Sequence, residues 1–254
     1  MRDYPHIRLF VEHPLQTGTT LTLADKQAHY LTTVMRLSEG NMLAAFNGVD
    51  GEWRAELLHG HKKKEWVLKI SEKVREQKHS PDLWLVFAPL KHTRMDMTIE
   101  KATELGISKL VPVLTQHGVV RSINEERIRS VCMEAAEQSG RLDVPEILPI
   151  QPLHQLLGSW PEDRTLFYGD ESGVSPSANH VLKDAKSGLH AVLIGPEGGF
   201  ARAEFELLQR LPFAQGISLG PRVMRADTAV IAALTCIQAW LGDWDQRPAF
   251  KAKG

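Results

Sequence analysis

The spacing of apolar residues changes near residue 80 and divides the chain into two parts. Before that point the apolar residues form short runs, at 8–11, 20–23, 42–46, 53–58 and 66–70. Asn47-Gly48 and Asp50-Gly51 supply turn residues between two of these runs. Apolar positions at helical spacing interrupt them once, over 26–37. Several short strands at this spacing predict a small β-barrel.

After residue 80 continuous apolar runs alternate with helical patterns. The runs lie at 83–87, 110–114, 165–168, 189–194 and 215–219, and continuous apolar runs are typical of buried parallel strands. Helical spacing follows over 95–105, 124–136, 177–184, 203–211 and 226–241. Asn124 is the expected cap of the second of these helices. The alternation predicts an α/β domain whose parallel sheet is covered on both faces.

Residues 72–81 are polar and lack periodicity, which predicts a linker. We therefore expect one domain over residues 1–75 and a second over 82–245. No apolar run approaches the roughly 18 residues of a membrane span, and the first residues lack an apolar signal core. Together with two cysteines that we expect to pack as small hydrophobes, Cys132 and Cys236, this predicts a cytoplasmic protein.

The net charge of −1 argues against a protein coated in positive charge. One local cluster, Lys62-Lys63-Lys64, fits either a solvated hairpin tip or a phosphate contact. No set of Cys and His residues has the spacing of metal ligands, so we expect no metal.

Two glycine-bearing turns are the strongest candidates for chemistry. LIGPEGGF at 193–200 and SLGPRVMR at 218–225 each follow a predicted buried strand and precede a helix. Ligands of open α/β sheets bind where the carboxyl ends of strands open into such loops. Gly198-Gly199 leaves main-chain amides uncovered, so a small ligand can lie against the backbone. Neither turn is a dinucleotide fingerprint or a Walker phosphate loop, which leaves a nucleotide-like ligand held differently or two ordinary turns.

The pair LIGPEGGF and LGPRVMRADTAVIAAL, at 193–200 and 219–234, resembles the C-terminal motifs of the SPOUT-type RNA methyltransferases. Among these the sequence is similar to the bacterial 16S rRNA uracil-N3 methyltransferase family. The resemblance implies a trefoil-knotted parallel sheet that binds S-adenosylmethionine, an N-terminal PUA-like β-barrel that binds RNA, and a homodimer acting on the 30S ribosomal subunit. The cofactor-binding residues it implies are Leu166, Tyr168, Gly169, Leu193, Ile194, Gly195, Pro196, Glu197, Gly198, Gly199, Ser218, Leu219, Gly220, Val223, Met224, Arg225 and Thr228.

The implied reaction needs help at the base, because N3 of uracil is protonated near neutral pH and is then a poor nucleophile. Cationic donors aimed at the uracil oxygens would lower the barrier, and Arg222 and Arg225 are chemically suited to this. Asp227 stands where the family usually has Glu. We expect it to orient Arg225, with a part in removing the proton as the alternative.

For RNA binding the resemblance implies residues on both predicted domains, namely Arg8, His29, Arg36, Lys91, Arg94, Arg121, Gln138 and Arg141. The alternative for Arg8 and Arg36 is an exposed barrel charge, and for Lys91 and Arg94 an ordinary solvated helix start. The chain departs from the family at His117, where an arginine is common, and at Ala201, where Ser or Thr is the usual helix cap. With Glu204 retained, we expect the capping box to lose one of its two bonds.

Two other functions compete with this one. The first is a SPOUT methyltransferase acting on tRNA or on another rRNA site. The second is a non-catalytic RNA-binding factor in ribosome assembly, which the departures at His117, Ala201 and Asp227 keep open.

Overall fold

The computed structural model of the chain describes residues 7–61 and 65–246, so the Lys62-Lys63-Lys64 cluster lies outside the described residues. The chain forms two compact units. The first extends to His79 and also includes Ala136–Asp143. The second takes Ser80–Ala135 and continues from Val144. That an eight-residue segment far along the chain belongs to the first unit was not predicted.

The first unit contains a five-stranded sheet. Its strands are β1 (Arg8–Phe10), β2 (Thr20–Thr22), β3 (Met42–Phe46), β4 (Glu52–His59) and β5 (Trp66–Arg75), in the order β1-β3-β4-β5-β2. β1 pairs with β3 in parallel, and the other pairs are antiparallel. Leu43, Leu57 and Leu68 are fully buried in its core. Each of the five predicted strands is present.

The helical segment of the first unit is less regular than predicted. α1 (Asp25–His29) gives way to a π-helical turn, Tyr30–Val34. Arg36 ends the segment with φ of 57°, in the left-handed region that favours glycine. The Leu37 N–H donates to the Leu31 carbonyl at 2.9 Å, which closes the last turn around Arg36.

The prediction of a linker beginning at residue 72 is wrong, because β5 continues to Arg75. Its polar residues pair with the neighbouring strand: Arg54 binds Glu72 at 3.0 Å and Arg75 binds Glu52 at 3.3 Å. Because these strand residues are charged and pair across the sheet, the sequence lacks the alternation of apolar and polar residues by which a strand is recognised.

The second unit is built on a parallel sheet with the order β12-β10-β11-β6-β7-β8, and β9 also pairs with β7. The strands are β6 (Leu83–Phe87), β7 (Lys109–Leu114), β8 (Glu146–Ile147), β9 (Gln151–Pro152), β10 (Arg164–Gly169), β11 (Leu189–Ile194) and β12 (Ala214–Ile217). The helices are α2 (His92–Glu104), α3 (Glu125–Ser139), α4 (Leu153–Gly158), α5 (Ala178–Lys183), α6 (Arg202–Arg210) and α7 (Ala226–Leu241). None of the helices in the described ranges combines the length and apolarity that crossing a membrane requires.

Both faces of this sheet are covered, as predicted. Along β6 the fully buried Leu85 packs into the cluster that contains α2 and α7 residues, such as Ile99 and Leu234. The adjacent Val86 packs into a second cluster, with Leu208 of α6. Successive strand residues point to opposite faces, so a strand buried on both sides is apolar throughout.

Hydrogen bonds at the first residues of α3 and α6 explain where these two helices begin. Asn124 caps α3 through a hydrogen bond from the Arg127 N–H to its Oδ1, at 2.9 Å. At α6 the Glu204 carboxylate accepts from the Ala201 N–H at 2.9 Å, while alanine offers no acceptor in return. The predicted half of a capping box is confirmed.

Candidate functional site

Three loops meet at the carboxyl edge of the parallel sheet and enclose a cavity of about 620 Å³. β10 pairs with β11 on one side and with β12 on the other, so the loops that follow these three strands are neighbours. The two glycine-bearing turns come from β11 and β12, and both line the cavity. Its volume is in the range of small-molecule pockets, roughly 300 to 1,000 Å³.

The first turn is shaped by glycines that leave no room for side chains. A Cβ at Gly195 would come within 3.1 Å of the Phe200 ring. Gly199 has φ of 68°, and a Cβ there would overlap the Glu171 carboxylate. The Gly199 N–H donates to the Pro196 carbonyl at 2.9 Å and closes the turn. This wall of the cavity is therefore largely main chain.

The second turn is more open. Its base is held by backbone pairing, since the Ala178 N–H donates to the Ser218 carbonyl at 2.9 Å. Gly220 has φ of 108°, and a Cβ there would meet nothing within 4 Å. Beyond it the side chains of Arg222 and Val223 are exposed, Val223 by 91%, and both line the cavity.

Residues 169–173 form the third wall, of which only Gly169 was predicted. Asp170 is buried and accepts hydrogen bonds from the N–H groups of Ser172, at 2.7 Å, and Ser175, at 2.9 Å. Burial opposes ionisation of this carboxyl, but the hydrogen bonds from the two serines prevail and lower its pKa. A strand followed by a loop with glycine at each end, Gly169 and Gly173, is visible in the sequence, but it does not by itself assign the loop to the cavity.

The predicted cofactor residues fall into three groups. Those that line the cavity are Gly169, Ile194, Gly195, Pro196, Glu197, Gly199, Ser218, Leu219, Gly220, Val223 and Met224. Gly198, Arg225 and Thr228 are next to lining residues in the chain but do not line the cavity. Leu166, Tyr168 and Leu193 are buried in the core behind it. Burial, with the Asp170 carboxylate nearby, raises the pKa of the Tyr168 phenol.

The three predicted catalytic residues have different surroundings. Arg222 is exposed at the cavity, and Arg225 is exposed at the cap position of α7. Asp227 is buried in the first turn of that helix, where its Oδ1 accepts a hydrogen bond from the Thr228 N–H at 2.9 Å. Across residues 7–61 and 65–246, no three His, Cys, Asp or Glu side chains are grouped to hold a metal ion.

Arg8, predicted to contact RNA or to be an exposed charge, is buried in the first unit, with 8% of its surface exposed. The exposed alternative is therefore wrong. Its Nε donates to Glu52 at 2.5 Å, and its two terminal nitrogens donate to the carbonyls of Ala136, Glu137 and Arg141, at 2.6, 2.9 and 2.7 Å. The guanidinium thus binds the carboxyl end of α3 and the turn after it.

A second arginine, Arg75, also binds Glu52. We call Arg8, Glu52 and Arg75 together the buried arginine cluster. Arg75 donates to the other oxygen of Glu52 at 3.3 Å and to the Gly140 carbonyl at 2.9 Å. Glu52 is fully buried, and its side chain binds both cations. The cluster explains why residues 136–143 belong to the first unit.

The other predicted RNA-binding residues are mostly on the surface. His29, Arg36, Lys91, Arg121 and Gln138 are exposed, and Arg94 is half-buried. Arg121 also donates to the Thr115 carbonyl at 3.2 Å. The Arg141 side chain is only 9% exposed and pairs with Asp143 at 3.0 Å.

Comparison with known proteins finds two matching family domains in the chain. Residues 77–238 match the family described as RNA methyltransferase domain, and residues 23–70 match the RNA methyltransferase PUA domain. The ribosomal RNA small subunit methyltransferase E of Rickettsia conorii is 32% identical, over 91% of this chain and 94% of that protein. The protein of the same name from Synechocystis is 34% identical, over 92% of this chain and 78% of that protein.

Solved structures agree as well. The ribosomal RNA small subunit methyltransferase E of Neisseria gonorrhoeae, bound to S-adenosylmethionine, superposes with a TM-score of 0.83 at 27% identity, covering 94% of this chain and 99% of that one. A putative methyltransferase from Legionella pneumophila, also with the cofactor bound, gives 0.80 at 30% identity, covering 93% and 98%. The sequence motifs, the parallel sheet with its cavity and these similarities lead to one conclusion: the chain belongs to the ribosomal RNA small subunit methyltransferase E family.

Proposed function

We propose that the protein methylates N3 of a specific uridine in 16S rRNA, using S-adenosylmethionine bound in the cavity. The observation that carries this proposal is the meeting of three strand-end loops around one cavity, with Arg222 at its wall. Relatives named ribosomal RNA small subunit methyltransferase E support it, as do two similar structures that hold S-adenosylmethionine.

The residues of the cavity fit such a cofactor. Because Gly195 and Gly199 carry no side chains, the main chain of this turn is accessible and can hydrogen-bond an adenine or a ribose. Leu219, Met224 and Phe205 supply apolar surface for a flat ring. Further acceptors, chemically suited to hydroxyl and ammonium groups, come from the carboxylates that line the cavity, Glu171 and Glu197.

The side chains near the cavity fit the chemistry required at the base. S-adenosylmethionine, when bound, supplies an electrophilic methyl group. Arg222, which lines the cavity, is the proposed donor of hydrogen bonds to the uracil oxygens, which carry negative charge once N3 has lost its proton. Asp227, whose Oδ1 accepts from the Thr228 N–H, is the proposed orienting carboxylate for Arg225. Holding the base and the methyl donor in line contributes several kcal/mol in addition.

We propose further that residues 1–75 form the RNA-binding domain and 82–245 the knotted methyltransferase domain. Exposed basic residues support the RNA contact, Arg36 on the first unit and Lys91 on the second. A homodimer is supported by apolar surface at the end of α7, where Trp240 and Trp244 are 48% and 51% exposed. An rRNA substrate in the 30S subunit places the reaction in the cytoplasm.

The test is methylation of purified small ribosomal subunits taken from a strain that lacks this gene. With wild-type protein and S-adenosylmethionine, mass spectrometry of the digested 16S rRNA should show one new N3-methyluridine. Methyl transfer to tRNA, or to another rRNA position, would replace the proposed substrate. Binding of the subunit without any transfer would instead identify a non-catalytic assembly factor.

A further inference from the structure

The loop that follows β7, residues 115–121, lies against the first glycine-bearing turn of the cavity. His117 Nδ1 is 3.1 Å from the carbonyl oxygen of Gly198. Because a carbonyl only accepts, the imidazole supplies the hydrogen. A Cβ at Gly198 would also lie 3.2 Å from the Cβ of His117, so the side chain and the turn are in close contact. The hydrogen bond holds the one residue of 195–199 that does not line the cavity.

A second connection joins the same loop to the end of the turn. One carboxylate oxygen of Glu204 accepts from the Gln116 N–H at 2.8 Å, and the other accepts from the Ala201 N–H at 2.9 Å. The carboxylate therefore links the loop after β7 to the start of α6. The glycine-bearing turn lies between this link and the His117 contact.

The loop after β7 is itself held in place. The Thr115 carbonyl accepts from the Gly118 N–H at 3.3 Å and from Arg121 Nη1 at 3.2 Å. Thr115 is buried, with 2% of its surface exposed. A loop fixed at its base can restrain the turn against which its His117 side chain lies.

We propose that His117 is a positioning residue for S-adenosylmethionine binding. Its hydrogen bond to Gly198 restricts the turn to the conformation in which the adjacent Glu197 and Gly199 line the cavity. A turn restrained before binding loses less conformational freedom when the ligand arrives, so the ligand binds more tightly. The inference rests on the proposed function of the cavity.

The test compares His117→Ala with His117→Asn, whose side-chain amide can donate from nearly the same place as Nδ1. The lost restraint can weaken affinity by no more than the hydrogen bond itself contributes, which is about fivefold for one neutral bond. We expect His117→Ala to raise the Kd and KM for S-adenosylmethionine by about that factor, with kcat unchanged at saturation, and His117→Asn to restore both. Gln116→Ala is the matched control, because its link to Glu204 uses the backbone N–H and survives the substitution.

An unchanged Kd in His117→Ala, or a Kd in His117→Asn as weak as in His117→Ala, would overturn the inference. A measurement without ligand separates this from failure of the proposed function. Amide hydrogen exchange at Gly199, which donates to Pro196, should be faster in His117→Ala than in wild type. If wild type binds no S-adenosylmethionine, the proposed function fails, and the exchange rate then decides only whether His117 restrains the turn: equal rates reject that restraint.

Discussion

The cavity and the buried arginine cluster both contain arginines that sequence motifs mark as functional, yet the structure uses them in opposite ways. Arg222 is exposed at the wall of the cavity, where its guanidinium is accessible to a ligand. Arg8 is buried, with hydrogen bonds to one carboxylate and three carbonyls. A motif therefore locates an important arginine without saying whether it binds a ligand or the protein itself.

The largest effect is expected in the buried arginine cluster. Glu52→Gln leaves the buried Arg8 and the partly buried Arg75 without their shared charge partner. Loss of one member of a buried ion pair costs about 3–5 kcal/mol, so the free energy of unfolding should fall by about that amount in urea denaturation. Glu72→Gln breaks a more exposed pair with Arg54 and should cost less than about 1 kcal/mol. Equal losses in the two variants would show that the cluster is not a buried anchor.

At the cavity, Arg222→Ala should reduce kcat about 100-fold, the usual consequence of removing one donor to developing negative charge. The Kd for S-adenosylmethionine should change much less, because the proposed partner of Arg222 is the base. Arg202→Ala is the matched control, since Arg202 also lines the cavity but pairs with Glu206 at 2.8 Å. Equal kcat losses in both variants would mean that overall positive charge matters and not the position of Arg222.

Asp170, the buried carboxylate of the third wall, should make the stability of the protein depend on pH. Asp170→Asn should lower the free energy of unfolding at pH 7 by about 2 kcal/mol, because two N–H groups lose a charged acceptor. The folded pKa of Asp170 lies below its ordinary value of 3.8, so its contribution is present above that pH and is lost as the pH falls through the folded pKa. The difference in the free energy of unfolding between wild type and Asp170→Asn should therefore disappear in acid. A constant gap from pH 7 to 3, or the same behaviour in the exposed Asp163→Asn, would contradict this.

The smallest of these effects concerns the main-chain wall. Gly199→Ala forces a left-handed φ on alanine and places its Cβ on Glu171, which should weaken S-adenosylmethionine about tenfold in calorimetric titration. Gly18→Ala imposes a similar φ in the first unit, with nothing within 4 Å, and should leave the affinity unchanged. Retained affinity in Gly199→Ala would mean that this wall does not contact the cofactor.

Much of the sheet was predictable because its elements carry their own signals. α7 runs from Ala226 to Leu241 as the helical spacing predicts, and β11 matches the apolar run at 189–194. Residues 142–163 carried no such signal. They contain two strands of two residues and a six-residue helix, and these strands owe their existence to pairing with β7. Elements this short have no period to detect.

Part of the candidate site was predictable for the same reason. The glycine-bearing turns follow clear strands, so their place at the sheet edge could be inferred. The loop at 170–173 could not be assigned to the same cavity, because the sequence does not show that β10 lies between β11 and β12. The burial of Arg8 depends on Glu52 and on a helix end more than 120 residues away in the sequence. Contacts at that separation leave no local pattern.

The most direct measurement of the central claim is a crystal structure of the protein soaked with S-adenosylmethionine. The adenosine should lie between the turn at 195–200 and the turn at 218–224, with the loop at 169–173 as its third contact. Cofactor density elsewhere on the molecule, or an empty cavity at a concentration that saturates binding in solution, would contradict the claim that these three loops form the methyl-donor site.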